Sequence, residues 1–299
     1  MKILRRGEIV VLESNLSEGV AAYDSAKAYA VGDEMLFEKY IYKALKAVQG
    51  TQPITDGSAT DSNWQKVRVS NEWAAFDYYL NTTATREGEI LLTFSAKGRG
   101  LYLNNVVGTS LKIEVLDALG GNVVQSQEYS LKGRSIKSWS DYFFGDWKLS
   151  TSRAYSFFFE NNHLTNTYIY RVTLKNDNVG GVCEIGSIIS GPLKELATSL
   201  YDDNSISMLD YSKVTTDEDG NTSLVRGNYK RTNSFKILVT DGEMDTVSYE
   251  LSQLRGEACV FVISDYFECL TNYAFLKNHE ILLSKRGYSI VEIEIEGLV

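Results

Sequence analysis

Residues 109–131, TSLKIEVLDALGGNVVQSQEYSL, contain two alternating apolar and polar stretches on either side of a Gly-Gly pair. In the first stretch Leu111, Ile113 and Val115 fall on one face of a strand, because successive side chains in a strand point to opposite faces. A Gly-Gly pair is typical of the tight turn that joins two antiparallel strands. The stretch therefore predicts a hairpin that packs on one face and meets water on the other.

Similar strand signals extend from about residue 71 to residue 191, with no helical period between them. Consecutive strands without intervening helices suggest two packed sheets, so we predict a β-sandwich over residues 71–191. The composition favours the same fold class, because 19 Tyr and 12 Phe stand against 2 Pro and aromatic side chains fit a pleated surface. A length of 299 residues leaves room for two or three modules. We therefore expect a mainly β protein.

The residues after 191 combine strands with one helix, and we predict an α+β domain over residues 192–299. Segment 240–256 has apolar residues at helical spacing. This apolar stripe consists of Met244, Val247, Leu251 and Leu254. Thr240 and Glu243 are spaced as a capping box at the start of the helix, and Gly256 is a typical stop. This is the one main helix that the sequence predicts.

The rest of this domain is expected to be strands and loops. Residues 205–229, SISMLDYSKVTTDEDGNTSLVRGNY, predict two strands around the turn DEDG. The terminal segment YSIVEIEIEGL alternates Ile or Val with Glu and predicts a final strand. The segment KNHEILL at 277–283 is interpreted as a polar loop.

Residues 1–12, MKILRRGEIVVL, predict one N-terminal strand, which leads into a linker that ends near residue 19. The residues that follow, ESNLSEG, offer this strand no local partner. Because an unpaired strand edge is costly, we expect the strand to add to a sheet of the C-terminal domain or of a neighbouring subunit. Residues 20–70 are then predicted to form a small β module of their own.

The small module has a distinctive order of aromatic and turn residues. Its elements are Tyr23-Asp24, Tyr29, Gly32-Asp33, Tyr40, Tyr42-Lys43-Ala44, Gly50-Thr51-Gln52-Pro53 and Trp64. This order resembles the chitin-binding-type carbohydrate-binding modules appended to bacterial chitinases and cellulases. So short a segment without cysteines can hold only a minimal core, so we expect Tyr29, Tyr42 and Trp64 to be its buried anchors.

The module departs from that family where the family's sugar platform would lie. In the family, adjacent exposed aromatics follow the strand with the aromatic-x-Ala pattern, whereas Lys46 and Ala47 occupy these positions here. Tyr23 and Tyr40 are the rings that the resemblance leaves for stacking on a sugar. Two uses of the module therefore stay open: carbohydrate binding through these tyrosines, or protein docking and spacing.

A second resemblance covers residues 71–191 and ends at a Gly-Pro pair. The closing strand has the pattern Ile-Gly-x-Ile-x-x-Gly-Pro, formed by Ile185, Gly186, Ile188, Gly191 and Pro192. This pattern is similar to that of galactose-binding-like jelly rolls in tail and baseplate proteins of tailed bacteriophages, and residues 192–299 look like the C-terminal part of such proteins. The resemblance implies a structural tail tip or baseplate component, made in the host cytoplasm. It would be located in the virion tail as a homo-oligomer that docks to other tail proteins.

The loop KSWSDYFFGDWKLS, residues 137–150, concentrates aromatic side chains. Trp139, Tyr142 and Trp147 are candidate sugar-binding residues, because rings beside carboxylates suit a sugar. A contact between subunits is the alternative, because exposed aromatic clusters usually mark interfaces. If the loop binds sugar, the chain is a receptor-binding protein for polysaccharide on the host surface.

Other partners are disfavoured by charge and hydropathy. A formal charge of −9 argues against nucleic-acid binding, which needs clustered Lys and Arg. No run of about 18 apolar residues could insert into a membrane, and the basic start lacks the pattern of a signal peptide. Three cysteines fit no metal-binding spacing and are expected to be buried thiols.

Catalytic chemistry has little support in the sequence. No catalytic motif of known spacing occurs, and the two histidines, His163 and His279, lie in segments that we expect to be polar loops. We therefore expect no enzyme activity, no metal and no cofactor. A polysaccharide- or cell-wall-degrading enzyme stays open as a further alternative, because two carboxylates remote in sequence could meet in the fold.

Overall fold

The computed structural model describes residues 1–55, 61–77, 79, 82–131, 139–144, 155–163, 167–201, 204–217, 219, 221–264, 267–285 and 287–298. Among these residues strands predominate, and of the three α-helices one is longer than six residues. The prediction of a mainly β protein with one main helix is confirmed.

The first strands are β1 (Lys2–Arg5), β2 (Ile9–Ser14), β3 (Ala28–Tyr29), β4 (Glu34–Phe37), β5 (Tyr40–Ala44), β6 (Val48–Gln49) and β7 (Trp64–Val69). The next are β8 (Ala84–Glu87), β9 (Glu89–Ala96), β10 (Gly100–Val107), β11 (Ser110–Leu116), β12 (Val123–Ser130), β13 (Tyr155–Glu160), β14 (Tyr168–Lys175) and β15 (Val182–Gly191). The last are β16 (Leu193–Glu195), β17 (Thr198–Ser199), β18 (Ser205–Asp210), β19 (Lys213–Thr216), β20 (Thr222–Val225), β21 (Tyr229–Thr240), β22 (Ala258–Val262), β23 (Thr271–Lys285) and β24 (Tyr288–Gly297). The helices are α1 (Asn71–Ala74), α2 (Trp139–Phe144) and α3 (Met244–Gln253), and a 3-10 turn covers Glu268–Leu270.

Short strands build the small module: β4, β5 and β7 form one antiparallel sheet, and β3 pairs with β6. Its core is aromatic, because Tyr29, Tyr42 and Trp64 are all buried in one cluster. Trp64 Nε1 donates a hydrogen bond of 2.9 Å to the Thr51 carbonyl oxygen, so the one polar atom of the indole is satisfied. The three predicted anchors are confirmed.

Two antiparallel sheets form a sandwich in the middle of the chain. One sheet has the strand order β12-β11-β14-β9-β2, and the other has the order β13-β10-β15-β8. They share one apolar core, which includes Phe94 and Tyr170 of the first sheet and Leu101 and Ile185 of the second. The predicted hairpin is formed by β11 and β12, with Gly120 at a φ of 70° in the turn, and its pairing is confirmed. The predicted division into a packed and a wet face is wrong in part, because Glu114 is buried on the face of Lys112 and no residue of β12 is buried.

The C-terminal sheet has the strand order β16-β1-β22-β23-β24-β21-β17, and β18 also pairs with β21. The predicted helix is α3, which buries Val247 and Leu251 in the core of this unit, and Leu254 is buried there directly after the helix ends. The prediction of a capping box is wrong. The Thr240 hydroxyl donates a hydrogen bond of 2.7 Å to the Glu243 carboxylate, and the N-cap residue Glu243 makes no side-chain capping bond. Thr240 is the last residue of β21, so the helix begins later than the box requires.

The longest described strand, β23, was not expected from the sequence. It runs through the segment 277–283 and pairs with β24, with His279 opposite Ile293. Two register shifts interrupt the pairing of these strands, so the alternation that marks a strand is lost in the sequence. The loop interpretation is therefore wrong for His279, whereas His163 lies outside the helices and strands.

All three cysteines are free thiols. Cys183 and Cys259 are buried, as expected, and burial raises the pKa of the Cys259 thiol to about 12. Cys269 is exposed, so the expectation of a buried thiol is wrong there. It lies in the 3-10 turn before β23 instead of in a strand that faces the core.

The N-terminal segment joins the two large β units. β1 lies between β16 and β22 in the C-terminal sheet, whereas β2 pairs with β9 at the edge of the sandwich. Pairing of the N-terminal strand with the C-terminal domain is therefore confirmed for β1, and the partner belongs to the same chain. A single strand over residues 1–12 is wrong, because the chain crosses from one sheet to the other at residues 6–8.

Backbone segments approach very closely at this crossing. The Gly7 amide donates a hydrogen bond of 2.8 Å to the Ser190 carbonyl oxygen. A Cβ on Gly191 would lie 2.1 Å from the Arg5 carbonyl oxygen, and a Cβ on Gly98 would lie 2.1 Å from the Gly191 carbonyl carbon. Gly98 also has a φ of 108°, which disfavours any larger residue. The Gly-Pro end of the closing strand is thus set by the packing of three backbone segments.

Candidate binding surfaces

Tyr23, a predicted sugar-binding residue, packs into the aromatic core of the small module. Its ring is half-buried, stacks on Tyr29 at a centroid distance of 5.9 Å and meets Phe37 and Trp64 edge-on. Its hydroxyl oxygen is buried without a hydrogen-bond partner among the described residues. Tyr29 therefore covers one face of this ring, and sugar binding by Tyr23 stays a prediction.

Tyr40, the second predicted ring of the module, lies at the start of β5 and is half-buried. The Lys66 ammonium lies 3.1 Å from its ring centroid, so one face of the ring is covered by a cation. Lys46 and Ala47, at the positions of the family's platform, are exposed on another part of the module. Tyr40 lines a groove between the module and α1, and sugar binding at this residue also stays a prediction.

Residues 139–144 of the aromatic loop form a short helix, α2, whose rings lie largely in solvent. Trp139 is 79% exposed and Phe144 is 88% exposed, and Tyr142 and Phe143 are also exposed. Trp139 stacks on Phe143 at a centroid distance of 6.1 Å, and Tyr142 meets Phe143 edge-on at 5.0 Å. Trp147, the last predicted residue of this cluster, lies outside the described residues. The structure thus brings two of the three predicted residues together on one exposed surface.

A further surface was not anticipated from the sequence, and we call it the exposed ribbon. It covers residues 205–229 and consists of β18 at the edge of the C-terminal sheet, followed by the hairpin of β19 and β20. Every residue of these three strands is exposed. The prediction of two strands around DEDG is right for the hairpin but misses β18 as a separate strand.

Apolar side chains are numerous on the exposed ribbon. The large ones are Ile206, Met208, Leu209, Tyr211, Val214, Leu224, Val225 and Tyr229. Val214 and Leu224 are directly opposite each other across the hairpin, and both are more than 60% exposed. Exposed apolar clusters of this kind mark surfaces that contact another molecule. A sequence signal existed, because SISML and SLV are apolar on both faces, but the local pattern does not say whether such strands are covered.

A polar cleft of about 380 Å³ lies between the sandwich and the C-terminal sheet. Its lining includes Tyr102 of β10, Arg231 of β21 and Glu268 of the 3-10 turn. Glu268 is the one carboxylate among the described lining residues, and its Oε1 accepts a hydrogen bond of 2.6 Å from the Ser156 amide. No second carboxylate that could complete such a pair as glycoside hydrolases use lies among the lining residues that the structure describes.

Metal ligands and membrane spans were sought over the described part of the chain. No three His, Cys, Asp or Glu side chains of these residues are grouped so that they could hold a metal ion. The helices in these ranges all fall short of a membrane-spanning length.

No protein-family model and no curated protein sequence matches this chain. Part of the structure is similar to a chain from a solved structure described as "Tail of empty GTA particle computed with helical refinement, C6 symmetry". The match covers 37% of this chain and 84% of that chain, with 15% sequence identity and a TM-score of 0.28. A superposition this loose establishes neither a shared fold nor a shared function.

Proposed function

We propose that the chain is a structural component of a bacteriophage tail or of a related tail-like particle. In this role several copies dock to one another and to neighbouring proteins at the tail tip or baseplate. The closing-strand motif supports the proposal, because it resembles that of tail and baseplate proteins. The proposal assigns the chain no catalytic step, no metal and no cofactor, and its location is the virion tail.

The exposed ribbon is the observation that carries the proposal. A two-stranded hairpin is marginally stable in water unless another layer covers it, yet among the described strands β19 and β20 pair with each other and with no third strand. β18 is an edge strand, and uncovered edges with apolar side chains promote pairing with another chain. A neighbouring subunit that covers the ribbon would therefore stabilise the hairpin and bury its apolar side chains at the same time.

A second candidate function is binding of host-surface polysaccharide, and the exposed helix α2 favours it. Trp139 and Phe143 form a stacked pair of rings that are 79% and 63% exposed. Exposed flat rings can stack on the faces of sugars. If a Trp139→Ala variant enters particles normally but the particles no longer attach to the host, α2 takes part in receptor binding.

The assembly role is tested by the incorporation of tagged chains into particles. The full-length chain and a Met208→Ser/Leu224→Ser variant are produced in the source strain while particles form, and the share that sediments with tails is measured. We expect the parent chain to sediment with tails and the variant to be reduced about tenfold or more, because two central apolar contacts are lost.

A matched variant, Leu119→Ser/Val124→Ser, removes two exposed apolar side chains from the β11–β12 hairpin instead. This control should enter tails like the parent chain. Equal incorporation of the ribbon variant and the control would contradict docking through the ribbon.

A further inference from the structure

A groove of about 830 Å³ lies between the small module and the segment that leads into the sandwich. Tyr40 and Lys66 line it from the module, Trp73 of α1 lines it from the opposite side, and Arg6 lines it from the N-terminal crossing. It shares no residue with the exposed ribbon or with α2. A volume of this size is within the range of ligand-binding pockets in proteins.

The groove concentrates positive charge on a chain whose formal net charge is −9. Its cations are Arg6, Lys39, Lys66 and Arg68, and Asp77 is the one carboxylate among the described lining residues. Arg68 also lies 3.5 Å from Glu18, so part of its charge is already compensated. Four cations against one carboxylate leave a local excess of positive charge, which attracts anions into the groove.

The two lysines are placed on aromatic rings. Lys66 Nζ lies 3.1 Å from the Tyr40 ring centroid, and Lys39 Nζ lies 3.9 Å from the Trp73 ring centroid. Neither ammonium has a carboxylate within ion-pair distance among the described residues. An ammonium held on a ring is oriented without being neutralised, so it remains available to an anionic group of a ligand.

The wall opposite the module is fixed by Arg6. Its guanidinium donates a hydrogen bond of 2.8 Å to the Asp77 carbonyl oxygen and another to the Phe76 carbonyl oxygen. The Asp77 carboxylate accepts hydrogen bonds from the Thr82 hydroxyl at 2.5 Å and from the Tyr79 amide at 2.9 Å. The Arg6 guanidinium and the Asp77 carboxylate are therefore both held in place by hydrogen bonds, so the fold fixes the positions of these two charges in the groove.

From this arrangement we propose that the groove binds an acidic saccharide, whose carboxylate or phosphate groups meet Lys39 and Lys66. Its sugar rings would pack against the aromatic edges of Tyr40 and Trp73. A nucleic-acid strand fits less well, because it carries a charge on every nucleotide and would continue past four cations onto a surface of net negative charge. The site does not depend on the proposed assembly role.

The proposal is tested with the full-length chain and polymers that share one sugar backbone. Affinity electrophoresis compares carboxymethyl-cellulose, cellulose phosphate and uncharged hydroxyethyl-cellulose, with poly-glutamate and an oligo-dT strand as polyanions without a polysaccharide backbone. We expect at least one acidic cellulose to bind about tenfold or more tightly than the uncharged polymer and than both other polyanions. The two acidic arms distinguish a carboxylate ligand from a phosphate ligand.

Matched variants locate the binding. Lys39→Gln/Lys66→Gln should weaken binding about tenfold, because two unneutralised cations are lost, whereas Lys43→Gln/Lys46→Gln makes the same charge change on exposed module positions outside the groove and should have no effect. Asp77→Asn should strengthen binding about twofold to threefold, because it removes the carboxylate that repels an anion.

A variant of Tyr40 separates stacking from charge. Tyr40→Phe should bind like the parent chain, whereas Tyr40→Leu keeps an apolar side chain but loses the flat ring and should bind more weakly. Equal effects of the two double-lysine variants would overturn the proposal. Binding of poly-glutamate or oligo-dT as tight as that of the acidic celluloses would also overturn it.

Discussion

Replacement of Leu4 by alanine is expected to destabilise the chain strongly, because this side chain lies between the two large β units. Leu4 is fully buried in a cluster with Tyr102 and Ile189 of the sandwich and with Val260 and Tyr273 of the C-terminal sheet. Sheets on both sides limit collapse of the cavity that the mutation leaves. Leu-to-Ala changes at such sites cost about 2–5 kcal/mol, and we expect a value of about 3–4 kcal/mol in the free energy of unfolding.

Urea unfolding followed by far-ultraviolet circular dichroism measures this loss. With a slope of about 3 kcal/mol per molar urea, the midpoint of the C-terminal unit should fall by about 1 M. Leu12→Ala is the matched control, because Leu12 follows on β2 but is 38% exposed, and its cost should stay below about 1 kcal/mol. A Leu4→Ala midpoint equal to that of the control would refute the placement of β1 between the two units.

Three further predictions concern stability. Trp64→Ala should remove about 3–5 kcal/mol and unfold the small module, visible as loss of its protection in hydrogen exchange. Gly98→Ala should prevent correct folding, because its Cβ would overlap the Gly191 carbonyl, whereas Gly120→Ala, with open space around it, should cost only about 1 kcal/mol by thermal melting. Burial raises the pKa of the Asp77 carboxyl, so the folded state holds its proton more tightly and the stability contributed by this group falls as the pH rises above about 4. In Asp77→Asn the change in melting temperature from pH 4 to pH 6 should therefore be more positive than in the parent chain, and the same change in both chains would show that Asp77 is not responsible.

Local periodicity was sufficient to predict those elements in which residues close in the sequence determine which face is buried. The apolar stripe that includes Val247 and Leu251 predicted α3, and the alternation on either side of Gly120 predicted the β11–β12 hairpin. The order of the aromatic residues in the small module predicted which side chains form its core, because few other side chains could fill so small a unit. In α3 one face packs and the other is solvated, so the sequence carries the period of the helix.

Pairings over long sequence distances could not be predicted in the same way. β1 pairs with β22, whose residues lie more than 250 positions later, and no local pattern announces such a partner. The split of the N-terminal segment depends on Gly7, which passes close to Ser190 only in the folded chain. The register shifts between β23 and β24 likewise involve two paired strands, and the sequence of β23 alone does not show them.

The candidate surfaces also differ in whether the local sequence or contacts between distant segments determine them. The aromatic cluster around Trp139 was visible in the sequence, because its rings are contiguous. The basic groove was not, because Arg6, Tyr40 and Trp73 come from three separate segments that only the fold brings together. The exposed ribbon was missed because exposure of a strand depends on whether another layer covers it, which is a property of the whole structure.

Immunoelectron microscopy of tails released by the source strain can show whether the chain is part of the tail. Antibodies raised against the purified full-length chain are applied to intact tails and, in parallel, to the soluble fraction of the same cells. We expect labelling confined to one end of the tails, where a tip or baseplate lies. Unlabelled tails, with all of the protein recovered as a soluble monomer, would contradict a structural role in the particle.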